Sequence, residues 1–558
     1  MTLPGAAVEA LHTQHNSPCP RMEHPKMDES NEGKTGSYND WPNNIGFDIH
    51  SEQREPVELT VTGHIPEYCR GTLYRVGPGG NTIQPNDPSL PPISISHWFD
   101  GLGQIHRFQI VSPTQIIYSS RFTCDTLVER IRQTGQFHNN FTFGQKRDPC
   151  QSYFRKFVSM FSSRVDLTTL DASDANVNVT VSYNIPGLSS HGQGPNLVAK
   201  TDANVMQILD PETLEPRGVV NQSVLHPSLT GPLSAAHCRV CPKTGDVFNY
   251  NLTLGPITTY QIFRISASTE KTDILATIKD APASYIHSFF LTETHVVLCC
   301  FSARYKYLGL KLLYVKNILE SLSSFSATDP RDDAVWYLIP RTPSPTSPIA
   351  RLTSPAFFSF HCTNAYNLPS SDIIAECITY RTLDILSKFY LAHLRGDSPA
   401  AIDWVDKGRG VLTRFLLSPS RGTVERVYEA PAELAVELPT LNPRFVARRH
   451  RYTYALVSRG RSTLLDGIVK FDAEAEGGEG EGVKVWECHG HTPGEAVFVG
   501  DPEGTEEDDG VLLSVVLDGM KGVSYLLCLD ARTMVEVGRA EVGGVVGLGF
   551  HGNFVKDG

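Results

Sequence analysis

From Val57 onward the chain is divided into short β-prone runs, and no other feature narrows its fold as far. Thr72 to Val76, Ile105 to Ile110, Gln115 to Phe122, Val247 to Leu252 and Thr258 to Ile265 are rich in branched and aromatic residues and bounded by Gly, Pro, Asp and Asn. The pattern continues through His295 to Phe301, Ile373 to Tyr380, Thr453 to Val457, Val511 to Leu517 and Tyr525 to Asp530. So many short strands define an all-β chain and point to a sandwich, barrel or propeller. Turn phrases recur after strands, as in Asp210-Pro-Glu-Thr-Leu, Cys241-Pro-Lys-Thr-Gly-Asp and Asp530-Ala-Arg-Thr-Met, which suit the outer turns of propeller blades but keep no clean period.

Residues 1–56 are rich in His, Pro, Ser, Asn and Gly without apolar periodicity, so they read as a mobile leader ahead of a single domain over 57–558. Trp41, Ile45 and Phe47 are apolar anchors that dock the end of this leader on the body. The net charge is −12 and no basic tract is present, which argues against a nucleic-acid partner. Twelve cysteines form no dense framework, and the N-terminus lacks a basic region followed by an apolar run, so secretion is disfavoured. The sequons at Asn140, Asn178, Asn221 and Asn251 are then chance matches. The expected location is cytoplasmic, since no window approaches the roughly 18 apolar residues that a crossing helix requires.

Two stretches break the β pattern and read as helices, Asp125 to Thr134 and Tyr307 to Leu322. In the second, Leu308, Leu312, Val315, Leu319 and Leu322 recur at three- and four-residue steps. Packing on the core and docking on a membrane both fit that stripe. The basic and aromatic stretch from Tyr153 to Arg164 joins it in one apolar rim. The acidic tract over 473–482 and Glu506-Glu-Asp-Asp-Gly read as solvated turns, because adjacent side chains diverge and calcium-loop spacing is absent.

Four of the 19 histidines lie among apolar, aromatic or small residues: His237 after Leu-Ser-Ala-Ala, His287 after Ser-Tyr-Ile, His361 after Phe-Phe-Ser-Phe and His551 after Gly-Leu-Gly-Phe. Buried imidazoles need partners for both ring nitrogens. Steps of 50, 74 and 190 residues fit no local metal motif, and such rings meet only where distant strands converge on one axis. Spacing alone does not establish a site.

These contexts, together with Gly71-Thr-Leu-Tyr-Arg-Val-Gly-Pro-Gly, His97-Trp-Phe-Asp-Gly, Gly494-Glu-Ala-Val-Phe-Val and Phe550-His-Gly-Asn-Phe, make the chain similar to the carotenoid cleavage oxygenases from Val57 to Val555. The resemblance implies a seven-bladed β-propeller with a helical and loop dome, whose insertions lie near 123–195 and 302–330. It implies one non-haem Fe(II) per chain, held by His237, His287, His361 and His551, with O2 as co-substrate. Three acids orient imidazoles in that family: Glu437 falls at the position for His361 and Glu495 at the one for His551. Asp202 stands where glutamate is common, so its shorter arm must move in or use water to reach His287. Cys362 and Asn367 depart from the family pattern near the metal.

The implied activity is oxidative cleavage of a carbon–carbon double bond in a carotenoid or apocarotenoid, taking β-carotene to retinal or torulene to an apocarotenal. A stilbene-cleaving dioxygenase on the same scaffold and a noncatalytic binding propeller are the alternatives. An apolar polyene substrate gives the Tyr307 to Leu322 helix a purpose and favours docking on a membrane or lipid body over core packing. No obligate protein partner and no nicotinamide or flavin is expected. Two rivals lie in the residues themselves. Cys238 and Cys241 form a lone C-x-x-C whose thiols a strand would point to opposite faces. Gly187-Leu-Ser-Ser-His-Gly misplaces the serine of a nucleophile elbow.

Overall fold

A computed structural model describes residues 41–137, 142–146, 171–188, 194–342, 348–396, 399–404, 407–475 and 482–557. The stretch from Tyr153 to Arg164, Asn140, the serines after Leu188 and the leader up to residue 40 lie outside them. Of the three leader anchors, Trp41 and Phe47 are buried and Ile45 is exposed, so two of the three dock the segment.

The described strands form a propeller of antiparallel sheets. Five sheets of four or five strands are self-contained, running in chain order from Thr180–Tyr183 to Val483–Trp486. The remaining major strands form one continuous ten-stranded sheet, so the expectation of seven separate blades is corrected to five. The reason is Val57–Gly63, which pairs through Val57, Glu58 and Leu59 with Gln115–Phe122 and through Thr60 to Gly63 with Glu536–Glu541. One strand thereby fuses the chain's beginning to its end.

The recurrent turn phrases share one geometry. The N–H of the fifth residue donates to the carbonyl of the first, as in Leu214 to Asp210, Gly245 to Cys241 and Met534 to Asp530. That fifth residue is left-handed, at φ 61° for Leu214, 73° for Gly245 and 62° for Met534. In two of the three, the opening aspartate also caps the turn: Asp210 accepts from the N–H groups of Glu212 and Thr213, and Asp530 from that of Thr533. Ser266 to Glu270 and Asp518 to Gly522 close the same way with different residues, which hid them as repeats. Middle strands such as Ala334–Pro340, Ile373–Thr379 and Gly510–Asp518 are buried along their whole length because sheets cover both faces.

The helix Asp125–Thr134 forms as read: Leu127 and Ile131 face inward one turn apart and left-handed Gly135 caps it. The single helix over Tyr307 to Leu322 does not form. The segment breaks into a 3-10 turn Lys306–Gly309 and short helices Leu310–Val315 and Ile318–Ser321. Left-handed Gly309 and Lys316 separate the pieces, and Asn317 caps the last by accepting from the N–H of Glu320. The breaks redistribute the expected stripe. Leu312 is 0% exposed and Leu322 is buried, while Tyr307 is 76% exposed and Leu308, Leu310, Leu313 and Tyr314 also face outward.

Candidate metal centre

Each of the four histidines stands at or within three residues of the start of a sheet's edge strand. His237 precedes Arg239–Val240, His287 precedes Phe290–Leu291, His361 precedes Cys362–Asn367 and His551 begins His551–Lys556. In a propeller such strands line the axis, so rings far apart in sequence become neighbours. One ligand nitrogen from each lies within 4.8 Å of those of the other three. The Nε2 atoms of His237 and His551 are 3.1 Å apart, and those of His361 and His551 are 3.2 Å apart.

Three of the rings are held from behind by carboxylates, each with two further donors. Both oxygens of Asp202 accept from Nδ1 of His287, and the same carboxylate accepts from the Tyr285 hydroxyl at 2.7 Å and the Ala236 N–H at 3.2 Å. Glu437 accepts from Nδ1 of His361, the Tyr380 hydroxyl and the Leu438 N–H. Glu495 accepts from Nδ1 of His551 at 2.8 Å, the Gly552 N–H at 2.7 Å and Arg75 at 3.3 Å. The short arm of Asp202 therefore makes direct contact. Sequence reasoning missed Tyr285, Tyr380 and Arg75. Two signals were present: Tyr285 lies two residues before His287, one strand period away, and Arg75 lies inside the Gly71 phrase.

Burial pushes the carboxyls of Glu437 and Glu495 up, but the adjoining imidazoles and N–H or O–H donors outweigh it, and both are held below the ordinary glutamate range. Burial and the neighbouring rings hold His237 well below the usual histidine value, and burial brings His551 to about 4. An imidazole that donates its Nδ1 proton to a carboxylate and carries no second proton presents a bare Nε2 lone pair. At 3.2 Å, the Nε2 atoms of His361 and His551 cannot hydrogen-bond each other in that tautomer. A shared cation satisfies both. Nitrogens about 2.1 Å from one ion lie about 3 Å apart as neighbours and about 4.2 Å apart as opposites, so the donor set fits a metal.

The cluster opens on a cavity of about 350 Å³ with His287, His361 and His551 on its wall. Trp98, Phe99, Phe143, Phe360, Phe389 and Phe550 give it an aromatic surface. Phe99 packs 4.7 Å from Phe143 and 5.0 Å from Phe550 between ring centroids. Its loop is clamped by the amides of Asn176 and Asn178, which donate to the carbonyls of Asp100 and Gly101. Asp100 in turn accepts from the N–H groups of Phe143 and Gly144. Cys362 and Asn367 are not among the lining residues.

The rival motifs take structural places. Cys241 belongs to the large central core, while Cys238 packs on a separate cluster and accepts from Lys200 at 2.9 Å. Glu507 accepts from the N–H groups of Arg451 and Tyr452, Asp508 pairs with Lys470, and Asp509 pairs with Arg532.

Fold and site together define a β-propeller built around a four-histidine cluster with the donors of a metal centre. The chain belongs to the retinal pigment epithelial membrane protein family, whose profile matches residues 46–556. It is 39% identical to a carotenoid dioxygenase of Neurospora crassa, covering 94% of this chain and 93% of that one. It is 36% identical to a torulene dioxygenase of Fusarium fujikuroi, with coverages of 95% and 97%. Among solved structures, a Synechocystis apocarotenoid oxygenase variant superposes with a TM-score of 0.73 at 21% identity, covering 94% of this chain and all of that one. The cobalt-substituted form of that oxygenase gives 0.71 at 22% identity, with coverages of 93% and 98%.

Proposed function

We propose that this protein is a carotenoid-cleaving dioxygenase whose centre is ferrous iron held by His237, His287, His361 and His551. The observation that carries the reading is the convergence of four imidazole nitrogens within 4.8 Å beside an aromatic cavity. Relatives named carotenoid dioxygenase and torulene dioxygenase support it. Imidazole suits iron among the divalent metals. Ferrous iron bound there supplies dioxygen chemistry that protein side chains lack.

The chain's own residues do the rest. Asp202, Glu437 and Glu495 fix three imidazoles in the tautomer that presents Nε2, holding their Nδ1 protons throughout. The aromatic wall excludes water and holds the polyene so that one double bond lies beside the cluster. One carbon–carbon double bond and one O2 give two carbonyl products, with no external reductant in the balance.

The exposed group of Tyr307, Leu308, Leu310, Leu313 and Tyr314 is proposed to rest on a membrane surface or lipid body, where an insoluble polyene resides. No helix among the described residues is long and apolar enough to cross a membrane. A cytoplasmic, peripherally attached protein is proposed, with 57–558 as one domain.

Iron-loaded protein incubated with β-carotene, torulene, apocarotenals and resveratrol should give aldehydes from the polyenes. Cleavage of resveratrol alone would move the protein to the stilbene class. His361→Ala should lose both iron and turnover, and full activity in that variant would overturn the ligand set.

A further inference from the structure

The cavity lining is uneven in chemistry. The sheet that begins with Ala435–Thr440 contributes Leu438, Leu456, Leu464 and Leu465, together with Glu437, which is committed to His361. Helix Asp125–Thr134 and the segment over 171–179 contribute Arg130, Asp174, Asn176 and Asn178 among apolar Leu127, Val177 and Val179. The two asparagine amides are committed to the Phe99 loop, so of these four polar side chains Arg130 and Asp174 are the ones able to meet a ligand. Their pairing is side-on: Nη1 of Arg130 lies 3.0 Å from Oδ2 of Asp174 and Nη2 lies 3.0 Å from Oδ1. The Arg130 side chain is 43% exposed against 10% for Asp174, so the pair sits where the cavity meets solvent.

An ion pair is a poor lining for a cavity that admits only hydrocarbon, because an apolar chain laid against it removes water and offers nothing in return. A guanidinium carries five N–H donors, and the hydrogen bond from Nη1 to Oδ2 of Asp174 occupies one of them. A carbonyl or hydroxyl oxygen at a polyene terminus can accept from one of the others.

We infer that Arg130, oriented by Asp174, is a specificity-determining residue that receives the oxygen-bearing end of an apocarotenoid while the hydrocarbon part runs toward the Leu438 and Leu464 side. The inference rests on the proposed function and adds the substrate's polarity and direction. It places the enzyme after a reaction that has already oxygenated one end of a carotenoid.

The test compares wild type, Arg130→Gln and Asp174→Asn, each iron-loaded, on an apocarotenal and on β-carotene. With Arg130→Gln, kcat/KM for the apocarotenal should fall by about tenfold or more, mostly through KM, while that for β-carotene should change by less than about twofold. Asp174→Asn should shift the ratio in the same direction, more weakly. An equal fall on both substrates, or none on either, overturns the inference. Trp98 lies on the cavity wall, so quenching of its fluorescence reads binding without turnover. Equal apocarotenal affinity in wild type and Arg130→Gln would overturn the inference even where cleavage is seen. A wild type that binds the apocarotenal through Arg130 yet cleaves no polyene would instead overturn the proposed function.

Discussion

Both carboxylate oxygens of Asp202 stand 2.9 Å from Nδ1 of His287, so the shortest of the three supporting acids reaches its imidazole without an intervening water. The backbone brings it in: the carbonyl of Asp202 accepts from the Ser234 N–H, tying the residue to the sheet that also carries His237. Asp202→Ala should weaken metal binding by about 10- to 100-fold, read by competition with a chelator. Unchanged affinity would show that His287 is oriented by something else.

Tyr285 and Tyr380 each donate to a carboxylate oxygen that is buried with its imidazole. Tyr380→Phe leaves an oxygen of Glu437 short of one donor and should lower the stability of the metal-free protein by about 1–3 kcal/mol in urea unfolding. Tyr285→Phe should act likewise through Asp202. Metal affinity should fall less than on removal of the acid itself, since the imidazole contact survives. A fully stable Tyr380→Phe would mean that water replaces the hydroxyl.

The wall of the cavity also titrates. Burial lowers His97 to about 4, and its ring meets the carbonyl of Leu386 and the N–H of Phe99 as a neutral group. Between about pH 6.5 and 4 the unfolded chain binds the proton and the folded one does not, so this contribution is complete above the unfolded value and is lost as pH falls toward 4. The shift corresponds to about 3 kcal/mol. Asp100, raised to about 6 by burial, has the opposite sign and gains stability over part of the same window. His97→Gln should therefore flatten the acid loss measured by denaturant midpoint, and Asp100→Asn should steepen it. Identical slopes in all three proteins would show that neither group is linked to folding.

The four histidines stood out by their apolar phrases, while their grouping at one centre and the glutamates at 437 and 495 were implied by the resemblance to the carotenoid cleavage oxygenases. The partners that complete each carboxylate were not legible, because Tyr380 reaches Glu437 across 57 positions and Arg75 reaches Glu495 across 420. The helix over Tyr307 to Leu322 failed for a different reason. Its leucine spacing is periodic, but Gly309 and the left-handed Lys316 reset the phase twice, so periodicity counted through the breaks assigned Leu312 to the wrong environment. The number of separate blades was missed because Val57–Gly63 hydrogen-bonds on both sides with different halves of its length, which no composition pattern reveals.

The redistributed leucines decide how membrane contact should be tested. Leu310 and Leu313 are exposed and Leu312 between them is completely buried against the core. Leu310→Glu combined with Leu313→Glu places two charges on the outward face, where each remains hydrated in the free protein but must be desolvated on docking. Sedimentation with liposomes should then lose most of the bound fraction while iron content and melting temperature stay at wild-type levels. Leu312→Glu buries a carboxylate without a partner and should destabilise the fold by several kcal/mol, so its loss from liposomes would report unfolding. Full liposome binding by the Leu310→Glu, Leu313→Glu protein would remove this surface from the docking face.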